Sequence, residues 1–249
     1  MDVAAPRQPA QHITLDLDRL HGQGMVTQDG ARTSVAEDFR IIKRALLRKA
    51  RGEASVPPLR HGNLIVVTSA LPGEGKTYCA VNLAMSIAME RDNTVMLVDA
   101  NVARPAVLEV LGEPPQPGLM EILLQEKADL ADVLLKTSIR TLSIVPAGRA
   151  TLHATELLAS NGMSRLLTDL AERYADRVVI FDSPPLLATT EASVLAAQMG
   201  QVVLVVEAER TTQHAVKEAI ARLQGCPNIS LVYNKQRVYA GTAHHGYYD

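Results

Sequence analysis

Apolar residues fall in continuous runs along most of the chain: LIVVTS (64–69), TVMLVD (94–99), LSIVPA (142–147), RVVIFD (177–182), QVVLVVE (201–207) and ISLVY (229–233). Unbroken runs rich in β-branched residues suit strands that are covered on both faces. Between them, apolar residues at helical spacing predict helices near 76–90, 118–125, 129–136, 161–175, 190–199 and 211–224. Strands alternating with helices predict a doubly wound, mostly parallel α/β sheet.

Upstream of the first run the pattern changes. Residues 34–51 predict a further helix, with Ser34 as its cap, Glu37 completing a capping box, and Val35, Phe39, Ile42 and Leu46 on one stripe. Arg40, Lys43, Arg44, Arg48, Lys49 and Arg51 make the rest of it basic; such a helix packs by its stripe and solvates its charges. Residues 1–33 show little periodicity and read as a flexible N-terminal arm, and 34–61 as the basic helix plus a linker through Pro57 and Pro58. The sheet domain spans 62–236. Residues 237–249 are a flexible tail, where Tyr239, Tyr247 and Tyr248 have no apolar neighbours to bury them and His244 and His245 have no further metal ligands nearby.

Composition narrows the function classes. A chain of 249 residues with 47% hydrophobic content supports one sizeable core, and a net charge of −2 gives no global basic field for nucleic acid. Two cysteines, Cys79 and Cys226, make neither a disulfide framework nor a zinc site and read as small core residues. Neither a signal-peptide layout nor an apolar run of membrane-spanning length is present. The expectation is a cytoplasmic protein that reaches the inner face of the plasma membrane through a partner.

The chemistry concentrates at strand ends. SALPGEGKT (69–77) follows a predicted strand and opens a predicted helix, the context of a phosphate-binding P-loop. Gly73 and Gly75 let backbone N–H groups turn around phosphate oxygens, and the helix beginning near Lys76 adds its positive end. Lys76 is placed to reach the β- and γ-phosphates and the Thr77 hydroxyl to ligate Mg²⁺; Gly73, Glu74, Gly75, Lys76, Thr77 and Tyr78 form the candidate cradle. Ala70 stands where the pattern has its first glycine. Two further strands end in acids, Asp99 and Asp182. Ligands of parallel α/β sheets sit beyond the carboxyl ends of the strands, so each acid either serves the metal and the attacking hydroxyl or caps the turn that follows it. Asn234 and Lys235 follow the last strand, where P-loop proteins often contact the base, and are candidates for contact with adenine.

SALPGEGKT, LVDANVARP and VIFDSPP together resemble the Walker A, A′ and B motifs of the bacterial tyrosine kinases, a P-loop family related to the MinD/ParA ATPases. EDFRIIKRALL, PAGRATLHATELLAS, TTEASVLAAQMGQVV and RTTQHAVKEAI resemble its exopolysaccharide-associated autokinases. The resemblance implies a MinD/ParA-like P-loop fold and ATP with Mg²⁺ as cofactors. It assigns catalytic roles to Lys76, Asp99 (base or its orienter) and Asp182, and metal contacts to Thr77, Asp99, Asn101 and Asp182. It implies tail tyrosines Tyr239, Tyr247 and Tyr248 phosphorylated by a neighbouring copy, and a homo-oligomer joined through Glu37, Arg40, Lys43 and Arg44. The remaining partners it implies are a membrane activator of the chain-length-determinant type and a tyrosine phosphatase.

Three departures bear on this. Lys43 stands where the family's helix motif has arginine, and lysine lacks the bidentate fork. Asn101 stands where the A′ motif has its second acid, so one negative charge beside the metal is missing. Leu71 occupies the place of the signature lysine of MinD/ParA ATPases. Three functions follow for comparison: a tyrosine autokinase, a dimerising ATPase, and a nucleotide-binding scaffold weakened by Asn101.

Overall fold

The computed structural model describes residues 11–28, 33–53, 57–125, 129–174, 176–226 and 228–237. All six apolar runs are strands of one eight-stranded sheet. In chain order the strands are β1 (His12–Ile13), β2 (Leu64–Ser69), β3 (Thr94–Asp99), β4 (Leu135–Thr137), β5 (Leu142–Val145), β6 (Arg177–Asp182), β7 (Gln201–Glu207) and β8 (Ile229–Asn234). The first helices are α1 (Leu17–Gly22), α2 (Ser34–Arg51), α3 (Lys76–Ala88), α4 (Val107–Leu111) and α5 (Leu119–Leu124). They are followed by α6 (Leu130–Val133), α7 (Ala154–Leu158), α8 (Asn161–Glu172), α9 (Glu191–Ala196) and α10 (Gln213–Ala221).

The strand order is β1-β4-β5-β3-β6-β2-β7-β8, and every pairing is parallel except β4 with β5. Two cores explain why the central runs do not alternate. Ile65, Val67, Leu97 and Ile180 face one way, against Leu46, Leu83 and Ile87 of α2 and α3. Leu64, Val66, Met96 and Phe181 face the other way, with Met163, Leu195, Ala219 and Leu223. Both faces of each strand are therefore buried, and both need apolar side chains.

Residues 11–28 correct the expectation of a flexible arm over that stretch. β1 pairs with β4, His12 opposite Lys136 and Ile13 opposite Thr137, and Leu15, Leu20, Met25 and Val26 are buried. The Val26 N–H donates to Asn82 Oδ1 at 2.6 Å, and the Tyr78 hydroxyl donates to the Gly24 carbonyl at 2.7 Å. A two-residue strand, a short helix and a turn each bury only one or two side chains, so no period emerges in the sequence. Residues 129–136 are likewise not one helix: α6 stops at Val133, and β4 buries Leu135 and Thr137 while exposing Lys136.

The basic helix forms as expected, with two corrections. Its cap is Thr33, whose Oγ1 accepts from the Ala36 N–H at 3.1 Å. That puts Glu37 one residue past the capping-box position, and its carboxylate pairs with Arg40 instead. Lys43 lies four residues after the buried Phe39 and is buried with it. Its ammonium donates to the Ser86 carbonyl at 2.7 Å and pairs with Glu90 at 3.0 Å, at the carbonyl end of α3 where a cation is favoured. Lys43 is thus turned inward, whereas Glu37 and Arg44 are exposed and Arg40 is half-buried. Among the described residues no helix is long and apolar enough to cross a membrane.

Candidate active site

β2 delivers the chain to the loop at 70–75, and α3 begins immediately after it. Gly73 and Gly75 adopt φ of +86° and +91°, the left-handed region that side chains disfavour. Gly75 has a second constraint, because a Cβ there would lie 2.2 Å from Asn234 Nδ2. Gly75 is also the N-cap of α3 and offers no side-chain cap, so the N–H groups of the first turn remain directed at whatever the loop encloses. Ala70 causes no conflict in place of glycine: it is fully buried in the core beneath the loop.

Asp182 ends β6 with no solvent exposure. Its Oδ2 accepts from Thr77 Oγ1 at 2.6 Å, and its Oδ1 is buried without a hydrogen-bond partner among the described residues. Burial pushes its carboxyl up to about 7; Asp99 adds to the rise, and Lys76 and the Thr77 bond oppose it. Asp99 is its cross-strand neighbour in the β3–β6 pairing. Asp99 Oδ1 accepts from the Asn101 N–H at 3.1 Å, and Oδ2 from Ala106 and Val107, each at 3.0 Å. Asp99 therefore folds the 100–106 loop and caps the start of α4 while facing the site. Its carboxyl is raised by burial, against the pull of those N–H groups and Lys76. Lys76 is half-buried and acts electrostatically on both acids, without a hydrogen bond or ion pair of its own among the described residues. Asn101 is buried, and its carbonyl accepts from the Arg104 N–H at 3.0 Å.

The oxygen donors Thr77 Oγ1 and Asp182 Oδ1 fit a hard cation such as Mg²⁺, which takes few protein ligands and completes its shell with water and phosphate oxygens.

Three sequence-predicted residues also make contacts within the protein that the sequence does not reveal. The ring of Tyr78 packs on Phe39 at 6.3 Å and its hydroxyl holds Gly24, so it offers the cradle only its backbone. The carboxylate of Glu74 is buried and tied to protein: Oε2 accepts from the Leu71 N–H at 2.6 Å, and Oε1 from the Thr211 hydroxyl. Asn234 reaches the loop itself, with Nδ2 donating to the Glu74 carbonyl at 2.9 Å. Beside it, Lys235 Nζ donates to the Gly73 carbonyl at 2.6 Å and pairs with Glu207 at 3.2 Å. Glu207 and Thr211 were not anticipated, although Glu207 carries the signal that marked Asp99 and Asp182, an acid closing an apolar strand. Cys79 lies buried on α3 with its thiol pushed up to about 12 by burial, which makes it a core residue and not a nucleophile. Tyr239, Tyr247 and Tyr248 lie outside the described residues.

Residues 62–232 match the AAA domain family. The putative tyrosine-protein kinase EpsB of Ralstonia nicotianae is 32% identical over 162 residues, covering 65% of this chain and 21% of EpsB. The succinoglycan biosynthesis transport protein ExoP of Rhizobium meliloti is 32% identical over 199 residues, covering 78% of this chain and 24% of ExoP. Among solved structures, the kinase domain of the Escherichia coli tyrosine kinase ETK is similar at a TM-score of 0.73 and 25% identity, covering 94% of this chain and 98% of that domain. The chain thus spans about a fifth to a quarter of these two curated relatives and nearly all of the ETK kinase domain. With the AAA domain match covering most of its length and a tyrosine-kinase domain superposing on its sheet, this chain belongs to the P-loop AAA domain family, in the branch that holds the bacterial tyrosine kinases.

Proposed function

We propose that the protein is a tyrosine autokinase that uses ATP and Mg²⁺ and phosphorylates Tyr239, Tyr247 and Tyr248 in a neighbouring copy. The observation that carries this reading is the Thr77–Asp182 pair, buried at the foot of a glycine loop and flanked by Lys76 and Asp99. The first-turn N–H groups of α3 and the Lys76 ammonium bind and align the triphosphate. Thr77 and Asp182 hold the cation, which when bound offsets charge on the phosphate oxygens. The phenol oxygen bonds to the γ-phosphorus as the β–γ bridge breaks toward ADP. The phenolic proton passes to Asp99 Oδ1, which has a single N–H partner where Oδ2 has two. Asn101 brings an amide where a carboxylate would add charge, and it lowers the rate without removing a cation ligand.

Asn234 sets the base preference in this reading. Its Nδ2 is committed to the Glu74 carbonyl, which leaves Oδ1 as an acceptor for the amino group of adenine. The charges of exposed Glu37 and Arg44 and of half-buried Arg40 join copies of the chain, and a membrane protein of the chain-length-determinant type brings them to the inner face of the plasma membrane. A tyrosine phosphatase resets the tail. Similarity to ExoP supports a role in exopolysaccharide biosynthesis and export.

The test is incubation with Mg-ATP followed by mass spectrometry, with Lys76→Ala as control. Phosphate on the tail tyrosines of the unmutated chain alone supports the kinase. Free phosphate with unmodified protein supports instead a MinD/ParA-type ATPase, a reading that Leu71 argues against.

A further inference from the structure

We propose that Lys235, braced by Glu207, is a positioning residue for the phosphate loop, acting through the Gly73 carbonyl. The inference rests on the reading of residues 70–77 as a nucleotide site.

β8 ends at Asn234, and the chain turns at once, because Lys235 adopts φ of +59°. A residue with a Cβ is disfavoured there by about 1–2 kcal/mol, so the contacts that follow must hold the turn. The turn sends the lysine back over the loop. Its ammonium lies 2.6 Å from the Gly73 carbonyl and 3.2 Å from Glu207 Oε2, and that carboxylate is itself largely buried. Asn234 takes the next carbonyl, that of Glu74, at 2.9 Å. From within the loop, the Glu74 side chain is fastened to the Leu71 N–H and to Thr211 in the turn after β7.

Two consecutive loop carbonyls are thus drawn to one side. A trans peptide unit is planar, with its N–H directed opposite to its C=O. The Gly73 carbonyl shares a plane with the Glu74 N–H, and the Glu74 carbonyl with the Gly75 N–H. Lys235 therefore aims the first of these N–H groups and Asn234 the second, both toward the concave side of the loop. Neither N–H has a hydrogen-bond partner among the described residues. Successive N–H groups presented this way form a nest for an anion. The glycines permit the conformation, and the β8 exit selects it.

The test is calorimetric titration of Mg-ADP into the full chain and its variants Lys235→Met, Lys235→Arg, Glu207→Gln and Lys217→Met, the last at an exposed position on α10. We expect K235M to bind about tenfold more weakly, a change of about 1.4 kcal/mol. K235R should recover most of the loss, E207Q should fall between, and K217M should stay within twofold of the unmutated chain. Thermal unfolding of each variant separates loop geometry from global stability, and in turnover the KM for ATP should rise more than kcat falls. K235M binding within twofold of the unmutated chain overturns the proposal, as does K235R binding no better than K235M. If the unmutated chain binds Mg-ADP yet never modifies tyrosine, the kinase reading fails while the binding series still decides this one. If it binds no nucleotide, both fail.

Discussion

Thr77 and Asp182 are joined by a hydrogen bond of 2.6 Å from the first turn of α3 to the end of β6, and the second oxygen of the same carboxylate is buried with no partner among the described residues. An ionised carboxylate in that position lacks the solvation it would have in water. The pair is therefore arranged for a cation and is costly without one.

That arrangement predicts an unusual pH dependence. The Asp182 carboxyl is raised to about 7 from an ordinary 3.8, so its stabilising contribution is complete below about pH 4 and is lost as pH rises through 7. In EDTA, Asp182→Asn should gain stability over the unmutated chain, and the gain should be larger at pH 8 than at pH 5 by on the order of 2–3 kcal/mol. Phosphotransfer should disappear at both. Chemical denaturation at the two pH values checks this, and a difference that does not grow with pH would contradict it.

Restoring charge at the Asn101 position should help catalysis. Asn101→Asp is expected to tighten Mg²⁺ dependence and raise autophosphorylation by about tenfold, a gain of about 1.4 kcal/mol in the barrier. A magnesium titration of initial rates measures it, and superimposable curves would show that the missing acid is immaterial.

Asn234 predicts nucleotide preference. ATP should compete better than GTP for the site, and Asn234→Ala should narrow the ratio by about tenfold while weakening both, because the Glu74 carbonyl loses its donor. Competition binding with both triphosphates measures the ratio. An unchanged ratio would place the base elsewhere.

The α2 charges separate into two kinds. Lys43→Ala removes a buried stem and two contacts to α3 and should cost about 2–3 kcal/mol of stability, with assembly unaltered at temperatures where it is folded. Arg40→Glu combined with Arg44→Glu should leave stability within about 0.5 kcal/mol and shift the oligomer toward monomer. Denaturation and sedimentation velocity distinguish them; an unchanged sedimentation profile for the double reversal would remove α2 from the interface.

Much of this was legible because the strongest signals were local. Each central strand carries its own unbroken apolar run, and the loop carries its glycines within six residues of the strand that feeds it. Asp99 and Asp182 could be paired because parallel strands end on one edge of the sheet. What stayed hidden depends on distant partners. Residues 11–28 gain order from Tyr78 and Asn82, more than fifty positions away. Lys43 looked like one charge among six, since nothing nearby in sequence reveals that Glu90 waits for it. The Glu74 side chain gives no sign of its tie to Thr211, which lies 137 residues downstream.

The register of Asp99 against Asp182 sets limits on how this molecule can vary. The two acids are rungs of one ladder, so their separation is fixed by interstrand hydrogen bonding and not by any loop. Gain or loss of a single residue inside β3 or β6 would slip that ladder and put an aliphatic side chain where an acid stood. Descendants of this sequence are free to lengthen their connections and exchange one aliphatic for another. The lengths of those two strands are the dimension in which they have no room to drift.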